Sequence, residues 1–301
     1  MAQGDRGTLG LIKVATPSVT IGGITQWRNS AGLTRTPDAT GGAVDNSFIC
    51  VMDGRPMLGF TTRQLTLLSS VGISGAQLTT LDAYAQKLDK FGTRNATSRK
   101  ITFGTGMLLP RSLAARQGGF AELQVDAVAL SADGTTAPVA FGTAAMPAHP
   151  TPVRWTIGPA YINGTLYDLE DVTVDFGIGY EVEASGGAVW PTFCTIMNRS
   201  PSIRLSCKEH DAESILGATG AAFSAATVVS FRKLAHAGTR VAEATAEHVT
   251  IAISDGLISP EETSASQGQR KTTTLVIQPT LSGSDPIISI DTAAALDGLG
   301  T

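Results

Sequence analysis

The chain of 301 residues is long enough for one large or two medium domains, and its 42% hydrophobic residues can bury a core rather than leave it disordered. Charged residues make up 16% and the net charge is −4, which excludes a general nucleic-acid-binding surface of clustered Lys and Arg. The 33 glycines, with abundant Thr, Ser and Ala, suit short strands joined by tight turns.

From the N-terminus, Met1 to Gly10 lacks a basic flank followed by an apolar run, so no secretory signal is expected. No stretch approaches the ~18 uninterrupted apolar residues of a membrane span. Leu78, Leu81, Ala85, Leu88 and Phe91 have helical spacing, but the related segment Thr227–Leu234 is β-branched, which predicts strand for both. Strands are expected over Ile101–Phe103, Glu122–Ala129 and Val139–Phe141. Pro147, Pro150 and Pro152 then mark an extended, stiff linker, dividing the chain into 1–146, 147–152 and 153–301.

Beyond it, Val172, Val174, Phe176, Ile178, Tyr180 and Val182 alternate with Thr, Asp, Gly and Glu, predicting one long half-buried strand. A Gly-rich loop follows at 184–188, then an apolar run from Phe193 to Ile196 and an alternating Ile203, Leu205, Cys207. Asp211 to Leu216 reads as a short helix with an Asp cap, ending before Gly217. Val249–Ile253, Thr272–Ile277 and Ile287–Ile290 complete the strands.

The two halves are copies. At a shift of 145 residues Ile12 meets Ile157, Gly32 meets Gly177, Gly41-Gly42 meets Gly186-Gly187, Phe48 meets Phe193 and Pro56 meets Pro201. The shift grows to 146 at Lys87-Leu88 and Lys233-Leu234, and to 150 at Pro110 and Pro260, as a loop insertion would produce. Chance matches would not keep so steady an offset, and Gly and Pro have demanding backbone roles. The expected fold class is therefore mainly β: two tandem β-sandwich or half-barrel domains, each with about one short helix.

Chemistry is hard to find. There is no GxxxxGK[ST] phosphate loop, GxSxG elbow or HExxH helix. Cys50, Cys194 and Cys207 are too few and too oddly spaced for a disulfide framework or zinc site, and read as small core residues. Glu209-His210-Asp211 lacks partner ligands and reads as a solvated turn. Asp168, Glu170, Asp171, Asp175, Glu181 and Glu183 fit either a solvated sheet face or an acidic channel wall that DNA would not adhere to, with Asp175, Glu181 and Glu183 the candidates for such a lining. A glycosidase pair is disfavoured by 6% aromatic residues, with only Trp27, Trp155 and Trp190 as indole platforms. No enzyme activity, cofactor or metal is expected.

The run Asp171–Glu183, then Gly186-Gly187-Ala188, Trp190–Phe193, Ser200–Leu205, Ala226–Lys233 and Gly256–Pro260, resembles phage major tail tube proteins. The likeness covers most of 155–290 and reaches the first half through the duplication, where Ile24 to Arg35 is more polar and interrupted by Asn29-Ser30. The resemblance implies a virion structural protein, assembled in the host cytoplasm. Sheets of neighbouring domains would join into rings that stack into a tail tube. Three duplicated chains would give a pseudo-hexameric ring. Double-stranded DNA would pass through the lumen, and tape measure, terminator and baseplate proteins would be partners, with no membrane. The loops around Gly41, Gly42, Gly186 and Gly187 would touch the next ring. Rival readings are a single-ring hub, adaptor or terminator protein, a two-sandwich carbohydrate-binding or adhesin module, and an unrecognised hydrolase.

Overall fold

A computed structural model describes residues 6–38, 48–89, 92–208, 220–223, 227–236, 239–265, 267, 271–281 and 287–297. The first half runs β1 (Arg6–Val14), β2 (Val19–Ile21), β3 (Ile24–Ser30), β4 (Leu33–Asp38), β5 (Phe48–Gly54), β6 (Met57–Thr62), helix α1 (Leu67–Val71), β7 (Ala76–Leu78), β8 (Leu81–Leu88), β9 (Ser98–Phe103), β10 (Thr105–Arg116), β11 (Glu122–Leu130) and β12 (Val139–Ala144). The second runs β13 (Arg154–Ile162), β14 (Thr165–Tyr167), β15 (Leu169–Asp175), β16 (Ile178–Glu183), β17 (Phe193–Arg199), β18 (Ser202–Cys207), β19 (Ala221–Ala222), β20 (Thr227–Leu234), β21 (His248–Ile253), β22 (Gly256–Ser264), β23 (Thr272–Pro279) and β24 (Ser289–Ala294). The protein is mainly β and sandwich-like. Among the described residues no helix is long and apolar enough to cross a membrane.

The same pairings occur twice. A five-stranded sheet β12-β9-β8-β1-β2 has its counterpart in β24-β21-β20-β13-β14. Facing both is one ten-stranded sheet, β19-β22-β23-β18-β15-β10-β11-β6-β3, with β7 beside β10. Its two halves repeat each other strand for strand, and meet where β15 pairs with β10. Two-stranded hairpins, β4–β5 and β16–β17, stand apart from the larger sheets.

Alternation explains the layers. In β6 and β18 every second residue is buried, so Leu58, Phe60, Ile203 and Leu205 line the core while their neighbours face out. Each such side chain, fully buried, contributes about 1.5–3 kcal/mol. The buried residues of both halves form one continuous cluster. Trp155 is 1% exposed within it. Its indole N–H donates to the Glu247 carbonyl at 3.4 Å, and its own carbonyl accepts from Ala121 N–H at 2.8 Å across the halves.

Several expectations need correction. The long strand from Val172 to Val182 is two strands in different sheets. Gly177 divides them at φ +55°, where an added Cβ would lie 1.9 Å from the Ser200 carbonyl oxygen. Gly32 does the same at φ +54°, against Arg55, so each hairpin leaves its sheet at a glycine. The first strands match at a larger shift than 145, because Ile12, opposite Ala83, corresponds to Ala160, opposite Val229, and not to Ile157. The strand expected at Ile287–Ile290 lies at Ser289–Ala294. The ten-stranded sheet takes strands from both sides of the Pro-rich stretch. Within 78–91 the expectation of strand holds for Leu81–Leu88, which forms β8, as it does for the related β20, and Leu78 ends β7. The helix expected at Asp211–Leu216 lies outside the described residues.

Two substitutions probe these features. Trp155→Ala is expected to lower unfolding stability by about 3–5 kcal/mol, measured by denaturant titration. Gly177→Ala is expected to cost more than about 1 kcal/mol, since a Cβ there meets backbone and the φ is left-handed. A stability equal to the parent's would show that the break between β15 and β16 tolerates a side chain.

Candidate assembly interface

The structure's most developed polar and apolar arrangement is the joint between its halves. Strand β10 is shared lengthwise. Its opening stretch, Gly106 to Leu108, pairs with β7, and its closing stretch, Ser112 to Arg116, pairs with β15. The ladder extends past both ends of β15, with Phe176 N–H to Arg111 O at 3.0 Å and Gln117 N–H to Glu170 O at 2.7 Å. On the core side Leu113 lies opposite Val174, both fully buried.

The hairpin β16–β17 folds back over this seam. Arg111 donates to the Ile178 carbonyl at 3.2 Å, and the Tyr180 hydroxyl lies 3.6 Å from the Met57 sulfur. Ile178 and Val182 are buried beneath the hairpin. Its loop is fastened by Gly54 N–H to Val189 O at 2.8 Å, Ser131 N–H to Pro191 O at 2.7 Å and Trp190 N–H to Gly134 O at 3.1 Å. Helix α1 rests against β24 of the other half.

Electrostatics follow from this burial. Asp126 is pushed above the usual carboxylate range by burial, partly offset by the Arg111 guanidinium, whose Nε is 3.4 Å away. Burial likewise raises the Tyr180 hydroxyl, with the Asp126 charge adding to it. Asp133 is held well below the usual range by hydrogen bonds from the Thr136 N–H and hydroxyl, the Thr135 N–H and the Ser131 hydroxyl. This turn is the one that grips Trp190 and Pro191.

Among the described residues, the two strands that meet at the joint have repeat-related counterparts with an open edge. β3, the counterpart of β15, ends the sheet on one side. On the other side β22, the counterpart of β10, is followed only by the two-residue strand β19. β19 pairs with Leu257 and Ile258, and among the described residues nothing pairs with the outer edge of Glu261 to Ser264. Among the described residues the hairpin β4–β5 also lacks a floor. Leu33, Ile49 and Val51 are exposed, where their counterparts Ile178, Cys194 and Ile196 are buried or packed against the core. Both hairpins present exposed Phe and Met on their other face, Phe48 and Met52 in one and Phe193 and Met197 in the other.

The residues singled out in the sequence distribute as follows. Gly186 and Gly187 form the exposed β16–β17 loop at φ +65° and +77°, with open space where a Cβ would be. Gly41 and Gly42 lie outside the described residues. Asp175 ends β15 in the ten-stranded sheet and accepts the Gly177 N–H at 2.9 Å, whereas Glu181 and Glu183 are exposed on β16 in the hairpin, so the three are divided between two sheets. The solvent side of the large sheet mixes signs, with Arg116, Arg204 and Thr173 beside Asp171 and Asp175. Glu209, His210 and Asp211 are outside the described residues. Among the described residues no group of three His, Cys, Asp or Glu side chains could hold a metal ion. His248 is buried with Nδ1 accepting the Lys233 N–H at 3.0 Å and Nε2 donating to the Ala242 carbonyl at 2.9 Å, a structural role. Cys207 is buried, and Cys50 and Cys194 are free and half-buried.

The joint itself escaped sequence reading. The signal that could have found it is a polarity difference at repeat-related positions: Leu113 and Val174 at the closed seam, Thr263 and Asn29 at the open edges.

Asp133 gives a pH test. Its pKa is lower in the folded state, so it stabilises the fold above the unfolded carboxylate value of about 4 and loses that contribution as pH falls through the folded value. Asp133→Ala is expected to lower the thermal midpoint at pH 7 and to narrow its gap to the parent in strong acid; a gap that does not change with pH would contradict this. No protein-family model matches the chain, and no curated protein matches its sequence.

Proposed function

We propose that the protein is a structural subunit without enzymatic activity that associates with its own copies into closed rings, and that the rings stack into a phage tail tube for DNA passage. The observation that carries this reading is the joint of β10 with β15, whose two counterpart edges, the 261–264 end of β22 and β3, have no further partner strand among the described residues and lie towards opposite sides of the same sheet. An unpaired edge is a template for another strand. Edges that are complementary and at opposite ends make a head-to-tail contact, which closes into a ring or runs on as a filament. A chain with two halves already joined needs half as many associations to close. The resemblance to tail tube proteins supplies the tube, the DNA and the three-chain ring. The exposed Phe and Met side chains of the hairpins suit stacking of one ring on another. The loop around Gly186 and Gly187, with its counterpart around Gly41 and Gly42, would meet the adjacent ring, and Asp175, Glu181 and Glu183 would lie towards the lumen. Tape measure, terminator and baseplate proteins would be the partners in the virion.

Light scattering coupled to size exclusion is expected to give the mass of three chains or a multiple, and negative-stain microscopy to show hollow tubes. A monomer at every concentration would overturn the reading, and discs without tubes would restrict it to a single-ring tail protein. Phe193→Asp with Met197→Asp is expected to leave the ring mass unchanged while shortening or abolishing tubes, read from the same micrographs.

A further inference from the structure

We infer that the contact between copies reproduces the internal joint residue by residue, with β22 of one copy added to β3 of the next in a single register. The inference rests on the self-assembly reading above and assigns its contact surface. The internal ladder sets Ser112 opposite Asp175, Leu113 opposite Val174, Ala114 opposite Thr173 and Ala115 opposite Val172. Repeat-related residues follow from the shared pairings. Pro110 faces Val125 and Ser112 faces Gln124, as Pro260 faces Leu275 and Glu262 faces Thr274, with a bulge at the same place in both. Trp27 faces Phe60 as Val172 faces Leu205. Transferring the ladder sets Glu262 opposite Ser30, Thr263 opposite Asn29, Ser264 opposite Arg28 and Ala265 opposite Trp27.

The side chains at these positions complement each other by means the internal joint does not use. Asn29 Oδ1 is buried with no hydrogen-bond partner among the described residues. A buried acceptor left unpaired is costly, and the Thr263 hydroxyl opposite it would donate to it. A polar pair thus stands where the closed seam has Leu113 and Val174. Arg28 lies diagonal to Glu262, within reach for an ion pair across the strands.

The hairpin repeats the pattern. Internally, Tyr180 sits over Arg111 and Asp126. Its counterpart is Arg35, exposed on β4, and the counterparts of Arg111 and Gly59 are Glu261 and Arg204, already joined at 2.9 Å. Folding β4–β5 over the next copy as β16–β17 folds over β10 brings Arg35 to Glu261, and lays Leu33, Ile49 and Val51 on that copy's sheet. The hairpin acts as a clasp over the seam, and its bare underside is covered by a second copy of this chain.

Cysteine pairing tests the register. In antiparallel ladders the pairs adjacent to hydrogen-bonded ones bring side chains close, and the bonds at Phe176 and Gln117 place Ser264 and Arg28 at such a pair. In a Cys50→Ser, Cys194→Ser background, Arg28→Cys with Ser264→Cys is expected to give a covalent ladder of multimers on oxidation, lost on reduction. Arg28→Cys with Glu262→Cys, two residues out of register, is expected to give at least about tenfold less, since its Cα atoms are diagonal neighbours. Assembled protein that yields no ladder, or yields it from the out-of-register pair, overturns the inference while leaving self-assembly standing. A parent that stays monomeric overturns both. Arg35→Glu, on the exposed strand β4, is expected to raise the concentration needed for assembly about tenfold or more. An unchanged concentration dependence removes the clasp.

Discussion

A β-strand has two edges, and each edge carries backbone N–H and C=O groups that must be paired or left to water. Strand β10 meets this demand by dividing one edge between two partners, β7 at its start and β15 at its end. The second of these comes from the other half of the chain. Most of what distinguishes the molecule follows from that division. It makes the two half-sheets one ten-stranded sheet, and fixes where the β16–β17 hairpin lands. It also leaves the corresponding edges, β3 and the end of β22, without a partner strand among the described residues. The bulge after Pro110 belongs to the same device. Proline cannot donate to a ladder, and the extra residue re-aims the strand between its two partners.

The fold class was legible because alternation and glycine placement are local properties. Val172, Val174, Ile203 and Leu205 read as core-facing strand residues, and they are fully buried. The errors have physical causes of their own. Alternation continues through Gly177, so periodicity saw one strand where the left-handed turn makes two. β10 was not recognised because Pro110 breaks the strand signal, though it is tolerated at a bulge. Helical spacing in Leu81, Ala85 and Leu88 competed with strand, and long-range pairing with β1 and β9 decided the outcome. The first strands drifted from the 145-residue shift because the turn joining β1 to β2 differs in length from that joining β13 to β14.

The candidate interface was much less legible. Glycines at 186 and 187 are visible in any sequence, but a seam formed by residues 112–116 and 171–175 depends on contacts between distant segments. Burial and polarity together distinguish the repeat-related positions. Leu113 is covered while Thr263 is exposed, and Ile178 is covered while Leu33 is exposed. Acidic residues grouped by sequence proximity were likewise separated by the turn at Gly177, which sends Asp175 to one sheet and Glu181 with Glu183 to another.

The contrast between oily and hydrophilic edges bears on the life of a newly made chain. Leu113 and Val174 meet as soon as the polypeptide folds and never again face solvent. Thr263 would wait in water for another molecule, its hydroxyl hydrated during that wait, while the buried Asn29 oxygen stays without a partner until that molecule arrives. The open edge of the large sheet at β22 thereby avoids presenting a greasy strand to every passing polypeptide, and delays commitment until a matching neighbour displaces the water.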